Sequence, residues 1–289
     1  KYERDDIGWS EERTISQTLI WVPTDVGMNI GTHELKVVGR DTAGNWQEEA
    51  AATTITWEVF EPFISEWTTT VVNQEVILPA TGGEMDFYID WGDETGEYRS
   101  LSEPTHTYAD IGTHQIRIMG TISRFKFGAF HPSKDIITNI SRWGCCRFDD
   151  VTSKHFYQCT NLNSTATDSP IIGKNLNSCF NGCTSLTGGV SGWNTENVED
   201  VSYMFQGATA FNGDISSWNV SSVTDMRQMF YTCSQFNCGL PEGVSGDGMN
   251  TWDVSKVTDM RRMFYACVDF NQNIGNWNIS AVLPEQLSA

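Results

Sequence analysis

Along its 289 residues the chain sets 37 Asp and Glu against 18 Lys and Arg, a formal charge of −19 that no basic region interrupts. Nucleic acid is thereby excluded as a partner, because phosphate neutralisation needs clustered Lys and Arg, and the same sign opposes attachment to anionic lipid surfaces. No stretch approaches the roughly 20 apolar residues of a membrane helix, and the length suits two or three domains. Lys1 is not a translation start, so the sequence reads as a fragment of a longer chain.

The first region, 1–62, holds three β-branched and aromatic runs, TISQTLIWVP (14–23), THELKVVGRD (32–41) and TTITWEVFE (53–61), separated by turns bearing Gly and Asp. The opening 1–13 has no partner pattern and either completes this sheet or is a truncated start. In the second region, 63–124, FYIDWGDETGEYRS (87–100) is followed by PTHTYADIGTHQIRIMG (104–120). Residues 87–89 and 114–119 alternate as strands, and 90–96 makes a tight turn. Asp90 and Asp93 are three residues apart; hydrogen bonds from turn amides explain them better than a metal or acid–base pair.

The third region, 125–289, repeats itself. WNVSSVTDMRQMF (218–230) and WDVSKVTDMRRMF (252–264) are nearly the same phrase, and 193–205 is a third copy. Indexed on their phenylalanines, Phe156, Phe180, Phe205, Phe230 and Phe264, the units advance by 24, 25, 25 and 34 residues. The last interval contains a nine-residue excess in the irregular segment 238–250. Units that cannot bury their apolar side alone stack on copies of themselves. Met226, Met229, Phe230 and Cys233 follow the 3, 4 and 7 spacing of a helix face, with Ser221 or Thr224 as its cap and Asp225 in its first turn. Ile215 and residues 218–220 then supply a strand-like side.

These motifs carry three resemblances. FNGDISSWNVSSVTDMRQMF and NQNIGNWNIS are similar to the BspA-type leucine-rich repeats of bacterial surface proteins. The copy at 193–211 has Thr195 and Glu196 for the usual Val-Ser, and the units at Phe156 and Phe180 keep only F-x-x-C-T-x-L. Asp90, Trp91, Gly92, Asp93, His106, Tyr108, Gly112 and Thr113 resemble the core of a PKD-like β-sandwich, with Glu94 where glycine is usual. GTHELKVVGRDTAGN (31–45) resembles bacterial immunoglobulin-like repeats. Together they imply a mostly β chain: an immunoglobulin-like module at 1–62, a PKD-like sandwich at 63–124, and a leucine-rich-repeat solenoid at 125–289 of about five coils of about 25 residues. They further imply a secreted or surface-anchored adhesin that binds an extracellular protein or glycan and is not an enzyme; a structural stalk is the alternative.

Candidate residues follow from this frame. Tyr203, Arg227, Gln228, Tyr231, Arg261, Arg262 and Tyr265 point away from the apolar stripe and are the types that anchor protein or glycan contacts; a solvated flank of ladder salt bridges is the plainer reading. Asp25, Asp41 and Asn45 offer hard oxygen ligands for a structural Ca²⁺ at a domain junction, while an Asx-type turn that binds nothing is the simpler reading. Cys159, Cys183, Cys233 and Cys267 share one repeat position with Ala208 and read as a buried column of free thiols. Cys145, Cys146, Cys179 and Cys238 lie off that column and are the better disulfide candidates if the protein is secreted. No histidine falls in a nucleophile elbow, an HExxH or a Cys–His signature.

Overall fold

The computed structural model describes residues 2–4, 8–9, 31–37, 53–59, 61–81, 85–99, 102–122, 124–148 and 153–286. Among them the chain is mostly β with almost no helix, its sheets are open, and it divides into two compact units, Lys1–Glu61 and Pro62–Ala289. No helix is long and apolar enough to cross a membrane among these residues.

In the first unit β1 (Tyr2–Arg4), β2 (Gly8–Trp9), β3 (Gly31–Val37) and β4 (Thr53–Val59) pair antiparallel in the order β2-β1-β3-β4. Residues 32–37 and 53–59 of the second and third runs thus lie in β3 and β4, and residues 2–4 and 8–9 of the opening join the same sheet. The run at 14–23 and the calcium candidates Asp25, Asp41 and Asn45 lie outside the described residues.

The second unit continues with β5 (Phe63–Thr69), β6 (Gln74–Ile77), β7 (Met85–Asp90), β8 (Gly96–Arg99), β9 (Thr105–Tyr108), β10 (Gly112–Ile122), β11 (Ile137–Arg142), β12 (Arg147–Phe148), β13 (Asn163–Ser164) and β14 (Ile171–Ile172). Its main sheet has the order β13-β11-β5-β10-β7-β8, with β6–β9 and β12–β14 as separate pairs. Alternation in β5 buries Phe63, Ser65, Trp67 and Thr69, and Trp67 Nε1 donates to Ser65 Oγ at 2.9 Å, so the buried polar atoms satisfy each other.

The β7–β8 turn works as its sequence suggests. Asp90 Oδ1 accepts the Gly92 N–H at 3.0 Å, and Asp93 Oδ1 accepts that of Thr95 at 3.2 Å. Gly92 has φ of +80°, and a Cβ there would lie 2.3 Å from the Gln115 carbonyl oxygen, so glycine is required. Glu94, in the usual glycine place, keeps the left-handed φ of +66°.

From 153 onward, strands give way to stacked turns. Phe156, Phe180, Phe205, Phe230 and Phe264 form a column with ring centroids 5.5, 5.7, 5.7 and 5.7 Å apart and nearly parallel planes. A second column, Phe211–Phe236–Phe270, runs alongside at 5.8 and 6.0 Å. Both spacings suit favourable aromatic pairs.

The helix expected at 226–233 does not form. Met226–Met229, Gln228–Tyr231 and Phe230–Cys233 each close a turn with an N–H to C=O bond over three residues, and the same set recurs around Phe264. Such turns bring residues three apart onto one side, so they give nearly the same apolar spacing as a helix. The intervening N–H groups bond across repeats: those of Met226, Gln228, Phe230 and Thr232 reach the carbonyls of Asp259, Arg261, Met263 and Tyr265. Ser221 and Thr224 therefore cap nothing helical, and no strand forms at 215 or 218–220; isolated bridges link Asn175, Asp200, Asp225 and Asp259 instead.

This geometry requires left-handed backbone at two places per repeat. Two residues before each indexed Phe, Lys154, Ser178, Tyr203, Gln228 and Arg262 have φ between 53° and 80°. Two residues after it, Gln158, Gly182, Gly207, Thr232 and Ala266 have φ between 55° and 76°. Side chains there cost about 1–2 kcal/mol of backbone strain, and β-branched Thr232 is the worst placed. Replacing Thr232 or Glu94 by Gly should raise unfolding free energy by about 1 kcal/mol each. Gly207→Ala, where a Cβ meets nothing nearer than 3.8 Å, should lower it by a similar amount through backbone strain alone. Denaturant titration of the three variants measures this.

Candidate functional site

Each repeat offers one polar flank beside its Phe. The Asp column begins with Asn175 and continues through Asp200, Asp225 and Asp259, each accepting the N–H two residues ahead, that of Asn177, Ser202, Arg227 or Arg261, at 2.8–3.0 Å. These are Asx-type turns, which explains why Asn can head the column.

Opposite charges meet toward the last repeats. Arg261 grips Asp259, with Nη2 to Oδ2 at 2.6 Å and Nε to both oxygens at 3.1 Å. Arg227 lies between Asp225 and Asp259, at 3.6 and 3.8 Å, with its guanidinium 4.9 Å from the centre of the Tyr203 ring. Burial pushes the Asp225 carboxyl above its ordinary value, and the neighbouring Asp200 and Asp259 charges add to this against the pull of Arg227. Burial also opposes ionisation of Asp259, but the hydrogen bonds and charge of Arg261, helped by Arg227, hold that carboxyl below the ordinary range.

The sequence-derived ligand candidates gather on this flank. Tyr203, Arg227 and Arg261 are engaged with their neighbours as above, and Gln228 Oε1 accepts from Gln206 Nε2 at 2.9 Å. Tyr231 and Tyr265 stack at 4.9 Å with planes 10° apart. Arg262 is exposed and has no ion-pair partner among the described residues.

An asparagine column escaped the sequence reading. Seven residues after the indexed Phe stand Asn163, Thr187, Asn212, Asn237 and Asn271. Asn163 Oδ1 accepts the Thr187 N–H, Asn212 Oδ1 that of Asn237, and Asn237 Oδ1 that of Asn271, at 2.8–3.0 Å. Thr187 has no side-chain carbonyl, and the Asn212 N–H goes to its backbone oxygen instead. The recurring F-N pair (211–212, 236–237, 270–271) was the available signal. Fully buried Asn237 also anchors the nine-residue excess, donating Nδ2 to the Pro241 and Val244 carbonyls at 3.0 and 2.8 Å.

All eight cysteines are free thiols, which corrects the disulfide expectation for Cys145, Cys146, Cys179 and Cys238. Seven of the eight are buried, and within the column the thiols have partners of their own: Cys183, Cys233 and Cys267 donate to the carbonyls of Phe156, Ala208 and Cys233 at 2.9, 3.0 and 3.0 Å. Burial raises the pKa of each, that of Cys267 to about 12, so these thiols are poor nucleophiles. Among the described residues no group of three His, Cys, Asp or Glu is placed to hold a metal.

Comparison with known proteins falls on the same stretch. A family model described as a Mycoplasma protein of unknown function, DUF285, matches residues 152–244 and 242–286. The chain is similar to that family over its repeats. The two matched stretches meet inside the nine-residue excess, at the one irregular interval of the stack. Neither curated proteins nor solved structures gave a match.

Two outcomes follow. Asn237→Ala leaves the Asn271 N–H and the two loop carbonyls without their partner, and should cost about 2–4 kcal/mol by thermal or denaturant unfolding. A carboxyl with a raised folded pKa loses stability as pH rises from its unfolded value, while one with a lowered pKa loses stability as pH falls through its folded value. Asp225→Asn should therefore raise the melting temperature at pH 7, with the gain vanishing as pH falls to the ordinary carboxylate value of 3.8. Asp259→Asn should lower it at pH 7, and less so in acid.

Proposed function

We propose that residues 125–289 form a leucine-rich-repeat-like solenoid of about five coils of about 25 residues, carried by the β-modules before it and serving non-catalytic ligand recognition. The ligand is an extracellular protein or glycan, and the parent is a secreted or surface-anchored adhesin of the BspA-like kind. The observation that carries this reading is the change of the flank along the stack. Ser178 and Asn181 in the second repeat become Gln228 and Tyr231 in the fourth, and Arg262 and Tyr265 in the fifth, while the apolar columns beneath stay constant. A scaffold repeated this closely frees its flank to vary, and Tyr and Arg are the residues that dominate recognition surfaces.

A stalk is the second reading. It is favoured by the way Arg227, Arg261 and Tyr203 satisfy Asp225, Asp259 and each other. Glycan and matrix-protein arrays probed with the intact chain separate the two. Recognition predicts a specific ligand whose binding falls at least about tenfold in Tyr231→Ala and Tyr265→Ala. Silence across both arrays, or binding that neither variant weakens, rejects the flank as a recognition site.

A further inference from the structure

Two rows of side chains accompany the Phe column, one two residues before each indexed Phe and one immediately after it. In the third repeat these positions hold Tyr203 and Gln206, and in the fourth Gln228 and Tyr231. The order is exchanged between the two repeats, so each row carries one tyrosine and one amide. The amides meet across the diagonal, with Gln206 Nε2 donating to Gln228 Oε1 at 2.9 Å. Asn181 of the second repeat lengthens the chain, its Nδ2 donating to Gln206 Oε1 at 2.7 Å.

Bonds linked in this way polarise one another. The chain of amides ends in unused groups. Among the described residues Gln228 Nε2 has no acceptor and Asn181 Oδ1 has no donor, and both atoms reach solvent. Tyr203 and Tyr231 stand on the other diagonal, and all four side chains are half-buried. Beside Asn181 and Gln206 lie Gly182 and Gly207, where a Cβ on Gly207 would meet nothing nearer than 3.8 Å, so a ring can approach the amides.

We propose that this checkerboard is the binding site within the flank and that its ligand is a neutral glycan, an assignment that rests on reading the flank as a recognition surface. A sugar hydroxyl both donates and accepts, as each carboxamide does, and the C–H face of a pyranose suits a tyrosine ring. An anion is disfavoured, because the amide row is neutral and Arg227, against Tyr203, is held between Asp225 and Asp259 at 3.6 and 3.8 Å. A protein partner needs an apolar centre. Among the described residues none of the large apolar side chains left exposed falls on these two rows in the first four repeats.

The test is titration of the whole 289-residue chain with neutral hexasaccharides of glucose, mannose, galactose and N-acetylglucosamine, read by NMR at the side-chain amides of Asn181, Gln206 and Gln228. At least one sugar should bind with a Kd of about 1 mM or tighter and move all three signals. Gln228→Asn, which draws back the free donor, and Tyr231→Leu, which removes the ring, should each weaken binding about fivefold or more. Tyr231→Phe keeps the ring and should bind as the native chain does, and native backbone signals at Phe180 and Phe205 show that each variant is folded. The proposal fails if no hexasaccharide moves these signals, or if neither weakening variant reduces binding. Tighter binding of a sulfated hexasaccharide, lost on adding salt, would make this an anion site and overturns it as well. A matrix protein that binds through Tyr231 while every sugar fails overturns the glycan assignment alone and leaves the recognition role of the flank standing.

Discussion

The hydrogen bond from one repeat's Phe segment to the same segment of the next is the interaction on which the rest of the second unit depends. It fixes the repeat-to-repeat distance, and that distance lets Phe180, Phe205 and Phe230 stack face on face instead of merely packing. It also dictates the backbone. Alternate N–H groups can leave for the neighbouring repeat only because the others close turns within their own, and those turns demand positive φ on both sides of the Phe. Gln158, Thr232 and Ala266 accept that strain where Gly182 and Gly207 avoid it, so stacking energy outweighs local preference in the first repeat and in the last two.

A one-dimensional stack needs its first rung covered. Here the β-sheet itself covers it. Strand β13, formed by Asn163 and Ser164 of the first repeat, pairs in parallel with β11, and Phe127 N–H reaches the His155 carbonyl. Trp143 lies among Phe63, Phe148, Phe156, Phe180 and Trp193, joining the sheet core to the Phe column. The Asp168 carboxylate accepts the N–H groups of both Trp143 and Gly144, at 3.0 and 2.8 Å, fixing that corner.

Much of this was legible in the residues. The Phe index placed the stack and the nine-residue excess correctly because aromatic columns tolerate little substitution, and the Asp-Trp-Gly-Asp turn revealed itself through residues with few other uses. The Cys/Ala position is small throughout and buried at Cys159, Cys183, Ala208 and Cys233, with Cys267 of the last repeat partly exposed. What failed was the local conformation. Apolar residues at spacings of 3, 4 and 7 fit a helix and a run of linked turns almost equally, and nothing in Lys154, Ser178, Tyr203, Gln228 or Arg262 advertises a left-handed backbone. Gly182 and Gly207, recurring two residues after Phe, were the one hint. The asparagine column was hidden for another reason: Thr187 breaks it, and Asn in a loop-rich chain attracts little notice until its carbonyl is seen to bond the next repeat.

The central claim is that Phe-segment amides bond to the next repeat and not along a helix. Scalar coupling across hydrogen bonds, measured by NMR on the intact chain, tests it most directly. The account predicts couplings from the amides of Gln228, Phe230 and Thr232 to the carbonyl carbons of Arg261, Met263 and Tyr265. Coupling of the Phe230 amide to the Met226 carbonyl, as an α-helix requires, would contradict it.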